Sequence, residues 1–216
     1  MTMTFYGHPL SSYCWKVLIA LYESGTPFER KMMEEPGVAE AWLALWPIGK
    51  FPVLHDEAQD RTLGEASIII EYLGQQCPGP FRPIPQDPEQ ALEVRLMDRL
   101  FDNYVMAPMQ AIVADRLRPE QARDPVGVGQ ARQMLGKAYA MLEERMAGRT
   151  WAAGDELTLA DCAAAPSLFY ADKVAPMRGG FPALAAYLDR LEARPSFARV
   201  LEEKQPWWPM FPYADG

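Results

Sequence analysis

Between Cys77 and Pro88 the chain reads CPGPFRPIPQDP, five prolines in twelve residues. Each proline lacks a backbone N–H and its ring collides with the preceding turn, so neither a helix nor a central strand can run through. The segment must be a connector, and the chain has to fold on either side of it. The two sides read differently. Before it, short β-like runs alternate with helical periods, whereas everything after about Pro88 has helical spacing. We therefore expect two domains, residues 1–77 and 89–216, joined by a linker over 78–88.

In the first part, MTFYG reads as a strand, and Ser11 to Glu23 as a helix with Cys14, Val17, Leu18 and Leu21 on one face. FERKMM (Phe28 to Met33) suits a second strand and VAEAWLALW a second helix. FPVLHDE and RTLG make a hairpin-like pair, and EASIIIEYLGQQ closes the unit as a helix, for an order of β-α-β-α-β-β-α. In the second part, Leu92, Leu96, Phe101, Val105, Met109 and Ile112 lie at helical spacing, with a kink or break expected at Pro108. Ala131, Met134, Leu135, Ala138, Leu142 and Met146 form the next stripe. At LTLADCAAA, Thr158 is placed to cap the N–H of Asp161, Asp161 to reach back, and Leu157 to staple against Cys162. Helices over 182–193 and 196–204 follow, and the tail PWWPMFPYADG has no period.

Composition excludes several classes. A formal net charge of -8 with no basic run repels a phosphate backbone, so no nucleic-acid partner is expected. MTMTFYGHPL lacks the charged-then-apolar pattern of a leader, and nowhere do eighteen or so apolar residues run together, which points to a cytoplasmic protein with no membrane partner. Cys14, Cys77 and Cys162 are an odd number at wide spacings, fitting neither a disulfide framework nor a metal knuckle. With only His8 and His55, a histidine-rich zinc site is excluded, and no G-x-S-x-G supports a Ser-His-Asp hydrolase. No metal is expected.

A β-α-β-α-β-β-α unit whose third strand opens on proline in GKFPVL, followed by an all-α half containing GDELTLADCA, resembles the cytosolic glutathione S-transferases over essentially the whole chain. The motifs carrying the resemblance are SSYCWKVLIAL, PIGKFPVL, LGEASIIIEYL and WAAGDELTLAD, in that order, and the likeness is to serine-type, theta- or zeta-like bacterial members. It implies an α/β thioredoxin-like N-terminal domain that binds glutathione, an all-α C-terminal domain that helps bind an electrophile, and a homodimer.

The S-S-Y-C corner fits that chemistry. A redox protein would want two cysteines three residues apart there, but Ser11 occupies the first position and only Cys14 remains. A thiol of pKa about 8.5 is mostly protonated at neutral pH, and lowering it by two units takes about 2.7 kcal/mol. A hydroxyl donating to a charged sulfur supplies roughly 1.5–3 kcal/mol and a helix N-terminus about 0.3–1. Ser11 at the start of a helix offers both, for a thiolate that a ligand brings. A serine also caps its own helix in ordinary proteins, and Ser12 is the adjacent alternative. In the resemblance the activating hydroxyl matches Ser11; Tyr6 is read as a strand residue packed in the sheet. Cys14, with apolar partners at helical spacing, is read as buried and unreactive.

The resemblance further implies a cis bond at Phe51-Pro52, with the Phe51 backbone pairing with the cysteinyl unit of glutathione, and Lys50 meeting the glycine carboxylate. At the γ-glutamyl carboxylate the chain departs from the family pattern of Glu-Ser: it has Glu65 and Ala66, with Ser67 one place late. One lost hydrogen bond to a charged group costs roughly 1.5–3 kcal/mol, about ten- to a hundredfold in affinity. Trp46 also departs, standing where asparagine is usual. Tyr13, Phe101, Tyr104, Met106 and Met109 are candidates to line the pocket of a small apolar electrophile, with Trp207, Trp208 and Phe211 covering it. Besides a transferase, two readings stay open: a binding or scaffolding protein that kept the fold, and a glutathione-dependent isomerase or dehalogenase.

Overall fold

The computed structural model describes residues 3–77 and 79–214. Pro78 of the expected linker and Asp215 and Gly216 of the tail lie outside the described residues.

Strand β1 (Met3–Gly7) is buried along its whole length and sends alternate side chains into two layers. Met3 and Phe5, with Leu54, join the large core; Tyr6 and Val53 join a smaller cluster, so Tyr6 is packed in the sheet as read. Strand β2 (Glu29–Met32) pairs parallel to β1, β3 (Val53–Asp56) pairs antiparallel on its other side, and β4 (Arg61–Leu63) pairs antiparallel to β3. The sheet order is β2-β1-β3-β4. Helices α1 (Ser12–Ser24) and α3 (Ala66–Gln76) cover the large-core face, and α2 (Val38–Leu45) covers the other through Val38 and Trp42. Gly25 ends α1 at φ 66°, a left-handed turn that only glycine enters without strain. The order β-α-β-α-β-β-α is the one read from the sequence.

Helix α4 (Pro88–Leu100) starts under Asp87, whose carboxylate accepts the Gln90 N–H at 2.9 Å. It continues as a π-helical stretch (Phe101–Met106) into α5 (Ala107–Leu117). The expected break at Pro108 is therefore absent. The N–H that proline lacks is absorbed by widening the turn before it, where the Ala107 N–H reaches back five residues to the Asp102 carbonyl. Helices α6 (Pro125–Met146), α7 (Leu159–Val174), α8 (Pro182–Glu192) and α9 (Pro195–Glu203) complete the bundle, followed by a 3₁₀ turn over Gln205–Met210. Leu92, Leu96 and Met134, placed on apolar stripes by their spacing, are exposed; α4 turns Ala91, Val94, Met97 and Asp98 inward. No helix among the described residues is long and apolar enough to cross a membrane.

Every residue of α7 from Leu159 to Ala171 is buried, and α1 packs on it, which ties the sheet layer to the bundle. The start of α7 carries the capping box. Asp161 accepts the Thr158 N–H at 2.8 Å, the Thr158 hydroxyl at 3.1 Å, the Ala152 N–H at 2.8 Å and the Tyr187 hydroxyl at 2.6 Å, and both members of the staple, Leu157 and Cys162, are buried. Replacing Asp161 with alanine strands these buried donors and removes the cap. It should cost about 3 kcal/mol or more, lowering Tm by roughly 6–12 °C in a thermal melt.

Candidate active site

The turn from β1 into α1 is fixed by backbone and ring contacts. The Ser11 N–H bonds to the His8 carbonyl at 3.1 Å, and the Leu10 N–H bonds to His8 Nδ1 at 3.1 Å. Because Nδ1 accepts, the ring proton sits on Nε2, 3.2 Å from the Glu34 carboxylate. The Tyr170 hydroxyl donates to the Leu10 carbonyl at 2.8 Å, and Trp15 Nε1 donates to the Pro9 carbonyl at 2.6 Å. These contacts hold Ser11 at the N-cap of α1, where its oxygen accepts the Cys14 N–H at 3.3 Å. The same hydroxyl also lies against the Cys14 thiol, a contact that lowers the pKa of that sulfur. Ser12 is buried, with its oxygen taking a long contact of 3.4 Å from Gln110 Nε2.

The peptide between Phe51 and Pro52 is cis. Phe51 stands outside the β3 ladder, its ring stacked on His8 at 5.9 Å. Lys50 beside it is exposed. Farther along, Glu65 takes φ 64°, a left-handed conformation unusual for a side chain of its kind. It contributes no side-chain cap to α3, and the first-turn amides of that helix at Ala66 and Ser67 have no hydrogen-bond partner among the described residues. Trp46 lies over this turn: a Cβ on Gly64 would come within 2.3 Å of its ring, so glycine is required there.

Ser67 does not substitute for the serine hydroxyl that Ala66 lacks. The Ser67 hydroxyl accepts from Lys16 Nζ at 2.9 Å and from Arg99 Nη2, and donates to Asp98 at 2.9 Å, which occupies its one donor and both lone pairs. Lys16 is wholly buried and also bonds Asp98 and, at 2.8 Å, Asp102. Arg99 closes the cluster on Asp98 at 2.6 Å and on Asp102 at 2.5 Å. Burial pushes the Asp102 carboxyl above its usual range, and burial together with the Asp102 charge raises the Tyr13 hydroxyl to about 12.

A cleft of about 350 Å³ opens beside Ser11 and Ser12. Met109, Val113 and Leu117 of α5 wall one side, and Tyr170, Met210 and Phe211 wall the other. Of the apolar residues expected here, Met109 and Phe211 line the cleft. Phe101 and Met106 are instead fully buried, in line with the buried face of α4, and Tyr104 is exposed away from the lining. Tyr13 is half-buried on the core, outside the lining. Trp208 backs the wall, stacked on Phe211 at 4.8 Å under the Lys204 ammonium, 3.9 Å from its ring. His8, Gln110 and Tyr170 were not read as cleft residues; only the position of His8, three residues before Ser11, hinted at it. No group of three or more His, Cys, Asp or Glu placed to hold a metal occurs among the described residues.

Two family models match the chain: "Glutathione S-transferase, N-terminal domain" over residues 5–81 and "Glutathione S-transferase, C-terminal domain" over residues 102–195. A glutathione S-transferase structure from Methylobacterium radiotolerans, in complex with glutathione sulfonate, is 30% identical with a TM-score of 0.80, covering 93% of this chain and 94% of that one. A glutathione S-transferase of Pseudomonas putida is 29% identical, covering 97% of this chain and 96% of its own length. The FtsZ-localized protein A of Caulobacter vibrioides is 28% identical, with 94% and 92% covered.

The thiols at this corner are open to a direct check. Cys14 is wholly buried, and burial raises its pKa to about 11, against weaker lowering by contacts to Ser11 and His8. Cys162 is likewise buried and raised, while Cys77 is partly exposed. Ellman's reagent should therefore titrate no more than one thiol in the native protein and three after unfolding.

Proposed function

The chain belongs to the glutathione S-transferase family, and from that premise we propose that Ser11 activates the thiol of reduced glutathione for attack on a small apolar electrophile. The observation that carries this reading is the Ser11 hydroxyl, held at the N-cap of α1 at the edge of the apolar cleft. The thiol proton leaves to water, and the sulfur anion accepts from Ser11 and sits at the positive end of α1. The anion then forms a carbon–sulfur bond with the electrophile in the cleft, and the electrophile's leaving group takes the electron pair. Phe51 offers its backbone to the cysteinyl unit beside the cis bond, Lys50 its ammonium to the glycine carboxylate, and the start of α3, at Glu65 and Ala66, its amides to the γ-glutamyl carboxylate. An isomerase or dehalogenase would use the same corner with another co-substrate.

A scaffolding role is the second reading. It is favoured by the absence of serine at Ala66 and by the likeness to a relative named for its localisation to FtsZ. Calorimetric binding of glutathione below the millimolar range supports the enzyme, and no binding supports the scaffold. A cytoplasmic location goes with the enzymatic reading, since its three cysteines are all unpaired. So does a homodimer. Ile68 of α3 and Leu92 and Leu96 of α4 are exposed aliphatic side chains on two helices joined by the Arg95–Glu71 ion pair, a face suited to a second copy.

Replacing Ser11 with alanine should raise the pKa of the bound thiol, followed by thiolate absorbance near 240 nm, by roughly 1–2 units and lower kcat/KM about ten- to a hundredfold near neutral pH. A larger shift in the Ser12→Ala variant would exchange the two serines' roles. Light scattering should give twice the 24.3 kDa of one chain, and Leu96→Asp should bring it to the mass of one.

A further inference from the structure

The start of α3 poses a problem in this chain: the position that would hold a carboxylate-binding hydroxyl is Ala66, and the hydroxyl of Ser67 is fully engaged elsewhere. What engages it includes a guanidinium. Arg99 is about half exposed, and its Nε and Nη2 are bonded to Asp98, Asp102 and Ser67. Its Nη1 has no hydrogen-bond partner among the described residues. Three charged or polar neighbours thus hold the planar group in one orientation against the second residue of α3, with one end still able to donate.

A second observation at the same corner points to a ligand with both charges. Asp102 is buried, yet its Oδ1 has no hydrogen-bond partner among the described residues, while its other oxygen is held by Lys16 and Arg99. That oxygen is sealed from solvent, so it contributes charge behind the corner and touches no ligand itself. Glu65, exposed and in its left-handed conformation, adds a further carboxylate at the helix start. Amides and a guanidinium beside the exposed Glu65 carboxylate match the head of an α-amino acid, which carries a carboxylate and an ammonium on one carbon.

We propose that Arg99 takes the part of the missing serine, its free guanidinium end and the Ala66 and Ser67 amides holding the γ-glutamyl carboxylate of glutathione between them. The proposal rests on the glutathione reading above. Arg99 is a binding residue, and its effect falls on recognition of the tripeptide's head rather than on the thiol.

The test is titration calorimetry of the full chain with two ligands: reduced glutathione, and 4-aminobutanoyl-cysteinylglycine, which is glutathione without that one carboxylate. Wild type should prefer glutathione. Arg99→Gln should weaken glutathione about ten- to a hundredfold and leave the analogue within about twofold, erasing the preference. Adding Ala66→Ser to Arg99→Gln should recover about tenfold of the loss. Arg99→Lys keeps a positive charge opposite Asp98 and Asp102 but not the second donor nitrogen, and should lose glutathione about tenfold even if the glutamine variant fails to fold. Unchanged glutathione affinity in the variants, or equal weakening of both ligands, overturns the role of Arg99 and leaves the glutathione reading standing. A wild-type chain that binds no glutathione removes both.

Discussion

Lys16 has no solvent exposure, so its ammonium has to find all of its counter-charge inside the protein. Leaving such a charge unpaired would cost several kcal/mol, which makes Asp98 and Asp102 obligatory partners rather than optional ones. The consequence is geometric more than energetic. Lys16 belongs to the helix that Ser11 caps, Ser67 to the first turn of α3, and the two aspartates to α4 and the turn after it. One ion cluster therefore sets the position of both helix starts on which the proposed tripeptide site depends, and sets them relative to the bundle. An apolar cluster of equal volume could hold the elements together, but it would not fix the rotation of each helix in the same way.

What the sequence made legible was local. The strand and helix order of the first part follows from alternation and helical spacing within windows of a dozen residues, and the capping box from four consecutive positions. The cis bond was legible only through the resemblance. The ion cluster was not legible at all, because it joins three stretches, at Lys16, at Ser67 and over 98–102, separated by 31 to 86 residues, and nothing in Lys16's own surroundings announces that it is buried. The cleft failed for a different reason. The stripe Phe101, Val105, Met109 and Ile112 keeps the spacing of the buried face of α4 through the π-helical turn and is core, whereas the lining draws on Val113 and Leu117, which that spacing does not single out. Leu92 and Leu96 show a further limit: spacing places residues on one face of a helix, without saying whether that face meets the core or solvent.

The Ser11 corner shows how one residue can serve two ends. As an N-cap it accepts an amide, as serine does in many proteins, and the long 3.3 Å contact uses only its oxygen. Capping and donation are thus compatible on one hydroxyl. Sequence reasoning weighs a cap against a catalytic group as alternatives, whereas here the same geometry supports both.

Much of the wall of the cleft is drawn from two stretches that take no part in the sheet: one face of α5 and residues 210–212 near the end of the described chain. Met210 and Leu117 are exposed there, so substitutions at either disturb little of the core. The part that would decide which electrophile fits is therefore free to drift while the corner that would prepare the sulfur is held by buried charges. A chain of this design could acquire new substrates by changes confined to one face of α5 and residues 210–212, without touching the corner proposed to prepare the sulfur.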